Sequence, residues 1–230
     1  MQKEKSVIID KYEALSEEIA EVVAAQIRHK PDSCFGLPTG NSPLGCYKIL
    51  GEWSKQKKLD WSQTNCFALD EYVGAEEQIT FQHFLQTNIY QYTNVKEENK
   101  FNPSQCDNYD ELIASKGGLD LTILGLGGNG HIAFNEPGTL LNSWTHSVLL
   151  EESTRKANKS YFAASTVVPY KAVTMGIRTI LGSKKLILIA SGAHKKEILE
   201  RALLGSVDPE IPASYLSLHP HVTVLTDFEF

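Results

Sequence analysis

The sequence has no long hydrophobic run. None of its apolar stretches approaches the ~18 residues that a membrane-spanning helix requires, so no transmembrane segment is predicted. The opening stretch Met1–Asp10 has only three consecutive apolar residues, Val7 to Ile9, and lacks a signal-peptide core. Positive charge is also scarce: 22 Lys and Arg stand against 28 Asp and Glu, a net charge of −6. That balance argues against broad nucleic-acid binding, which needs clustered cations, but leaves room for a small anion in a locally positive pocket. Cysteine is sparse too. Cys34, Cys46, Cys66 and Cys106 show no C-x-x-C spacing, and no Cys/His cluster suggests zinc. Three of them sit in or near apolar runs and read as buried, reduced thiols. Repeats, low-complexity tracts and linkers are absent. What remains is ordinary globular composition, 42% hydrophobic and 22% charged over 230 residues. The expectation is a cytoplasmic protein forming one domain over 1–230.

Hydrophobic spacing predicts an amphipathic helix over 10–29, with Leu15, Ile19, Val22, Val23 and Ile27 on one face. Cys34–Leu37 reads as a buried strand. A helix from about Pro43 to Lys57 follows, with Ser42 as N-cap and Pro43 at its first position. Further strands are predicted at Asn65–Leu69, Leu119–Leu124, His146–Leu150, Lys185–Ala190 and His221–Leu225. Helices are predicted at 80–92, Tyr109–Ser115, Met175–Leu181 and His194–Leu204, with a short one after Ser153. Strands alternating with helices point to an α/β fold: a Rossmann-like, mostly parallel sheet with helices on both faces. The polar stretch 139–170 reads as a lid. Ligands of such sheets bind at the carboxyl ends of the strands, so the loops there carry the functional question.

Four loops stand out. Leu37-Pro-Thr-Gly-Asn-Ser-Pro43 opens a helix, where free N–H groups and the helix dipole favour an anion; it also fits a plain strand-to-helix turn. Asp70 and Glu71 follow a strand, and on extended chain only one of them faces a given pocket; one carboxylate there suits a general base or a solvated strand end. Gly125 to Gly138 matches G-x-G-x-x-G at Gly125, Gly127 and Gly130. Pro137-Gly138 breaks the helix that a dinucleotide site would need, which leaves a glycine loop presenting His131, with Glu136 five residues on. A His whose tautomer is set by a carboxylate is a proton-transfer unit; a structural histidine is the alternative. In Ser191-Gly-Ala-His-Lys195, Lys195 is placed to meet an anion or to lie solvated on a first helical turn. His194 reads as surface, and Lys55–Lys58 as a solvated helix end.

Together, Gly-Leu-Pro-Thr-Gly-Asn-Ser-Pro-Leu-Gly (36–45), Leu-Asp-Glu-Tyr-Val-Gly (69–74), Gly-Leu-Gly-Gly-Asn-Gly-His-Ile-Ala-Phe-Asn-Glu-Pro-Gly (125–138) and Ser-Gly-Ala-His-Lys (191–195) resemble the motifs of the glucosamine/galactosamine-6-phosphate isomerase–deaminase family. The order matches over nearly the whole chain. The resemblance implies an amino-sugar 6-phosphate substrate, ring opening, aldose-to-ketose isomerisation and loss of ammonia. It implies that Asp70 moves a proton from C2 towards C1, and that His131 opens the ring with Glu136 and Asn129. Thr39, Gly40, Asn41, Ser42 and Lys195 would hold the phosphate. Some members carry Asp where this chain has Asn129; Asn takes no proton and could only orient His131 or bind substrate. Ser160 falls where the family often has a phosphate-reaching Arg, with Lys159 or Arg155 as substitutes. The chain ends soon after Leu225, like the short members, so activation by an N-acetylated sugar phosphate is not expected.

This chemistry needs one carboxylate to shuttle a proton between neighbouring carbons and one acid–base group at the ring oxygen. Neither metal nor redox cofactor is required, and the sequence offers a clear site for neither. The partners expected are a sugar phosphate, no nucleic acid and no membrane, with a homo-oligomer left open. The nearest enzymatic alternative is 6-phosphogluconolactonase, which shares a similar fold and a related Gly-His loop but needs no Asp70 for C–H abstraction. A sugar-phosphate-sensing domain is the alternative outside enzymes; only one helix precedes the first predicted strand, too little for a helix-turn-helix. The C4 configuration of the substrate is open.

Overall fold

The computed structural model describes residues 5–9, 11–159, 162 and 166–230. In chain order the strands are β1 (Lys5–Ile8), β2 (Cys34–Leu37), β3 (Asn65–Ala68), β4 (Asp70–Tyr72), β5 (Lys100–Phe101), β6 (Leu121–Gly125), β7 (His146–Leu149), β8 (Lys171–Thr174), β9 (Leu186–Ala190) and β10 (Val222–Thr226). The helices are α1 (Tyr12–His29), α2 (Leu44–Lys55), α3 (Phe81–Asn88), α4 (Tyr109–Ser115), α5 (Glu152–Lys159), α6 (Ile177–Leu181) and α7 (Lys196–Leu204).

Among the described residues, seven strands form one parallel sheet in the order β1-β10-β9-β6-β2-β3-β5. Period-2 alternation sorts their side chains into two cores. Phe35, Leu37, Ile123, Ile187, Ile189 and Leu225 face α1, α2 and α3. Cys34, Leu124, Leu186, Leu188, Val222 and Val224 face α4, α6 and α7. Helix α1 covers its side with the stripe Leu15, Ile19, Val23 and Ile27, each at most 2% exposed. The expected α/β sheet with helices on both faces is thus present.

The winding sets the position of the site. From β2 the chain moves outward through β3 to β5, then returns to β6 beside β2 and continues outward through β9 and β10. The order reverses between β2 and β6, and in such sheets the crevice at that reversal receives the ligand. The loops that leave β2 and β6 are 38–43 and 126–138.

Three features differ from the expectations. A second sheet, β4-β8-β7, is antiparallel and was not foreseen. Asp70–Tyr72 belongs to it rather than to a loop, and Lys171–Thr174 is a strand. The strands β1 and β5 were also unread. Ser42 does not cap α2, whose N-cap is Pro43. The Tyr12 hydroxyl does part of that work, accepting from Gly45 N–H at 3.0 Å and approaching the carbonyls of Asn41 and Ser42 at 2.9 and 3.1 Å. Within 139–170, β7 pairs with β8 and α5 follows; Ser160 lies outside the described residues. No helix among the described residues is long and apolar enough to cross a membrane.

Candidate active site

The first wall is the loop after β2. Gly40 takes φ +84°, a left-handed turn that an L side chain rarely adopts. Among the described residues, no hydrogen-bond partner is found for the N–H groups of Thr39, Gly40, Asn41 and Ser42. Such unpaired N–H groups ahead of a helix form an anion cradle. Two neighbours close on it. A Cβ added to Gly125 would stand 3.7 Å from Ser42 Oγ, and one added to Gly128 would stand 4.0 Å from Lys195 Nζ. Lys195 is half-buried and has no anionic partner among the described residues. Burial lowers its pKa from the ordinary lysine value. Its loop is pinned from β10, since Asp227 accepts from Gly192 N–H at 2.7 Å and from the Ser191 hydroxyl. Asp227 carried no motif signal in the sequence.

The second wall is the loop after β6. Asn129 Oδ1 lies 2.7 Å from His131 Nδ1 and accepts the His131 backbone N–H at 3.2 Å. Asn129 Nδ2 donates to Glu136 Oε2 at 2.9 Å. The direct His131–Glu136 approach is longer, 3.6 Å, so the amide is the bridge. Because a carboxylate accepts only, it orients the amide NH₂ towards itself and the amide oxygen towards the ring. His131 Nδ1 is then the donor to that oxygen, which leaves Nε2 as the ring nitrogen that can face a ligand. The Thr154 hydroxyl stands 3.4 Å from Nδ1. Glu136 is buried, which raises its pKa, but contacts from His131, Thr154 and Asn129 outweigh burial and hold it below the usual value. Gly127 makes room for the imidazole: a Cβ there would meet ring atoms at 2.4–2.5 Å.

The third wall is β4, where the two adjacent carboxylates separate. Glu71 is a structural anchor, accepting from Tyr72, Phe81 and Gln82 N–H and from Asn102 Nδ2, each at 2.8 Å. It therefore ties β4 to the start of α3. Asp70 is 6% exposed, and burial, with the Glu71 charge adding to it, pushes its pKa well above the carboxylate range. Such a carboxylate is a stronger base than a solvated one.

Arg155 and Lys159, the expected substitutes for a lid arginine, are engaged within their own segment. The Arg155 guanidinium sits 3.6 Å from the Tyr170 ring centroid, and Lys159 Nζ donates to the Thr166 carbonyl. Cys34, Cys46, Cys66 and Cys106 are unpaired thiols, the first three buried. Among the described residues, no three His, Cys, Asp or Glu side chains are grouped to hold a metal ion.

The family model for glucosamine-6-phosphate isomerases/6-phosphogluconolactonase matches residues 10–225. This chain belongs to that family. It is 46% identical over 228 residues to a glucosamine-6-phosphate deaminase of Lachnoclostridium phytofermentans, covering 95% of this chain and 97% of that one. It is 41% identical over 235 residues to the enzyme of that name from Thermoanaerobacter pseudethanolicus, covering 98% and 93%. A solved structure described as a monomeric glucosamine-6-phosphate deaminase superposes with TM-score 0.92 at 39% identity, covering 96% of each chain. The 6-phosphogluconolactonase of Trypanosoma cruzi shares the fold alone, with TM-score 0.76 at 16% identity over 97% of this chain and 94% of that one.

Proposed function

We propose that glucosamine 6-phosphate is the hexosamine phosphate on which this isomerase–deaminase acts, yielding the ketohexose 6-phosphate and ammonia. The observation that carries this reading is the Glu136–Asn129–His131 hydrogen-bond chain, set beside an unpaired lysine and an anion cradle at the sheet's reversal point. Its setting is a chain whose full-length relatives are named for that substrate.

The roles follow from the chemistry. The 6-phosphate sits on the N–H groups of Thr39 to Ser42 and on Lys195, and its charge favours the lysine's protonated form. Fixing this remote group orients the reacting carbons. His131 Nε2 takes the proton of the C1 hydroxyl and returns it to the ring oxygen, opening the ring. Asp70, as carboxylate, takes the C2 proton and delivers it to C1 while a proton passes from the amino nitrogen to O1, converting the 2-amino aldehyde through an enolamine into a 2-imino alcohol. Water adds at C2, the C–N bond breaks, and ammonia leaves. The substrate's ammonium group beside Asp70 favours the ionised base that this step needs. One domain over 1–230 supplies every group, and no role here calls for a second copy. The lid expected over 139–170 is carried, among the described residues, by 139–159, with Glu151 N–H set 3.4 Å from Glu136 Oε1. The reduced thiols accord with a cytoplasmic setting.

The test is a side-by-side rate measurement with glucosamine 6-phosphate and galactosamine 6-phosphate, following ammonia and ketose. The gluco substrate is expected to be preferred. Hydrolysis of 6-phosphogluconolactone without ammonia release from either amino sugar would overturn the reading.

A further inference from the structure

The antiparallel sheet β4-β8-β7 brings one buried side chain between the Asp70 strand and the His131 loop. Thr174 ends β8, is 0% exposed, and is paired in register with Asp70 of β4. Directly opposed residues of an antiparallel pair project from the same face, so Thr174 and Asp70 share a face of the small sheet. The Thr174 hydroxyl accepts the backbone N–H of Phe134 at 3.0 Å and donates to the Met175 carbonyl at 3.2 Å. Phe134 lies within the loop between His131 and Glu136. Met175 N–H in turn donates at 2.7 Å to the carbonyl of Leu69, the residue before Asp70. A second side chain meets the same point, since Asn135 Nδ2 donates to the Met175 carbonyl at 2.8 Å.

The loop held this way is a strained turn. Ala133 adopts φ +49°, left-handed for a residue with a Cβ, and Asn135 N–H closes back on the Ile132 carbonyl at 3.1 Å. A strained turn persists where its surroundings over-determine it, and the Thr174 hydroxyl satisfies the Phe134 N–H at its centre. The same hydroxyl therefore ties His131 and Glu136 on one side to the Leu69–Asp70 backbone on the other.

We propose that Thr174 is a positioning residue that sets the register between the Asp70 base and the His131–Asn129–Glu136 unit; this rests on the acid–base roles given above. It touches no reacting atom. Its contribution is that both groups meet one substrate in one geometry, where a shift of ~1 Å costs on the order of 10²-fold in rate.

The experiment compares T174V, which removes the hydroxyl at nearly constant shape, with T174C and T174S, measuring kcat, KM and the melting temperature with glucosamine 6-phosphate. T174V is expected to lose kcat on the order of 10²-fold with KM near wild type, because the phosphate cradle lies on other loops. T174S is expected to recover most of kcat, and T174C to fall between. If T174V does not fold, the Ser and Cys proteins decide: a clear kcat deficit in Cys alone supports the role, and equal rates overturn it. Wild-type kcat in a folded T174V, or kcat and KM changing in proportion, also overturns it. D70N run alongside separates the two readings. An inactive D70N with a wild-type T174V removes only the Thr174 role; an active D70N removes the Asp70 base and the register with it.

Discussion

The side-chain oxygen of Asn129 lies 2.7 Å from Nδ1 of His131, and this contact decides which ring nitrogen is free to act. The amide owes its orientation to Glu136, 2.9 Å away on the other side. Glu136 thus acts on His131 through a group that cannot titrate. N129L removes the bridge while keeping the volume, and kcat is expected to fall on the order of 10²-fold from loss of ring orientation. Wild-type kcat in N129L would contradict the assigned contact.

Gly127 is defined by the ring it faces. A methyl group there would lie 2.4 Å from His131 carbon atoms, well inside contact distance, so the imidazole must turn away. G127A is expected to keep its far-UV dichroism and phosphate affinity while losing kcat on the order of 10²-fold or more. Full activity in G127A would place the working histidine conformation elsewhere.

A lysine that holds the phosphate without touching the reacting carbons separates binding from chemistry, and K195M tests whether Lys195 is that lysine. Removing a charge-assisted contact costs about 1.5–3 kcal/mol, so K195M is expected to raise KM by roughly 10–10²-fold while ring opening and proton transfer persist at saturation. Competitive inhibition by inorganic phosphate should weaken in parallel. An unchanged inhibition constant would remove Lys195 from the phosphate site.

Much of this site was visible in sequence because its groups cluster in short glycine-bearing loops after strands, where residue type reports chemistry directly. Five strands of the large sheet, β2, β3, β6, β9 and β10, were visible because they are mostly apolar on both sides, whereas β1 and the two-residue β5 carry no such run. The small sheet was hidden for a physical reason. β4 and β8 are three and four residues long, a single residue separates β4 from β3, and β8 has only partial alternation. Neither strand shows a period long enough to read, and their pairing partners lie far away in the chain. The role of Glu71 was hidden in the same way, since three of its four donors come from Phe81, Gln82 and Asn102. Likewise Ser42 had the right residue type for a cap, but Tyr12, about 30 positions earlier, meets that helix end.

Burial of Asp70 has a stability consequence with a definite sign. Its folded pKa lies above its unfolded one, so the folded state holds that proton more tightly. The stability it contributes is complete below the unfolded carboxylate value and is lost as pH rises through the folded value. At pH values above that folded value, burial of the carboxylate therefore weakens the fold. D70N, which keeps the shape without the charge, is expected to melt higher than wild type at pH 8, with the difference shrinking towards pH 4.

The same variant tests the catalytic claim most directly, by ammonia release from glucosamine 6-phosphate at saturating substrate. If Asp70 carries the C2 proton to C1, D70N loses about 10²–10⁴-fold in kcat, while KM stays near wild type and the protein melts no lower. Turnover within a few-fold of wild type in that folded protein would contradict Asp70 as the base.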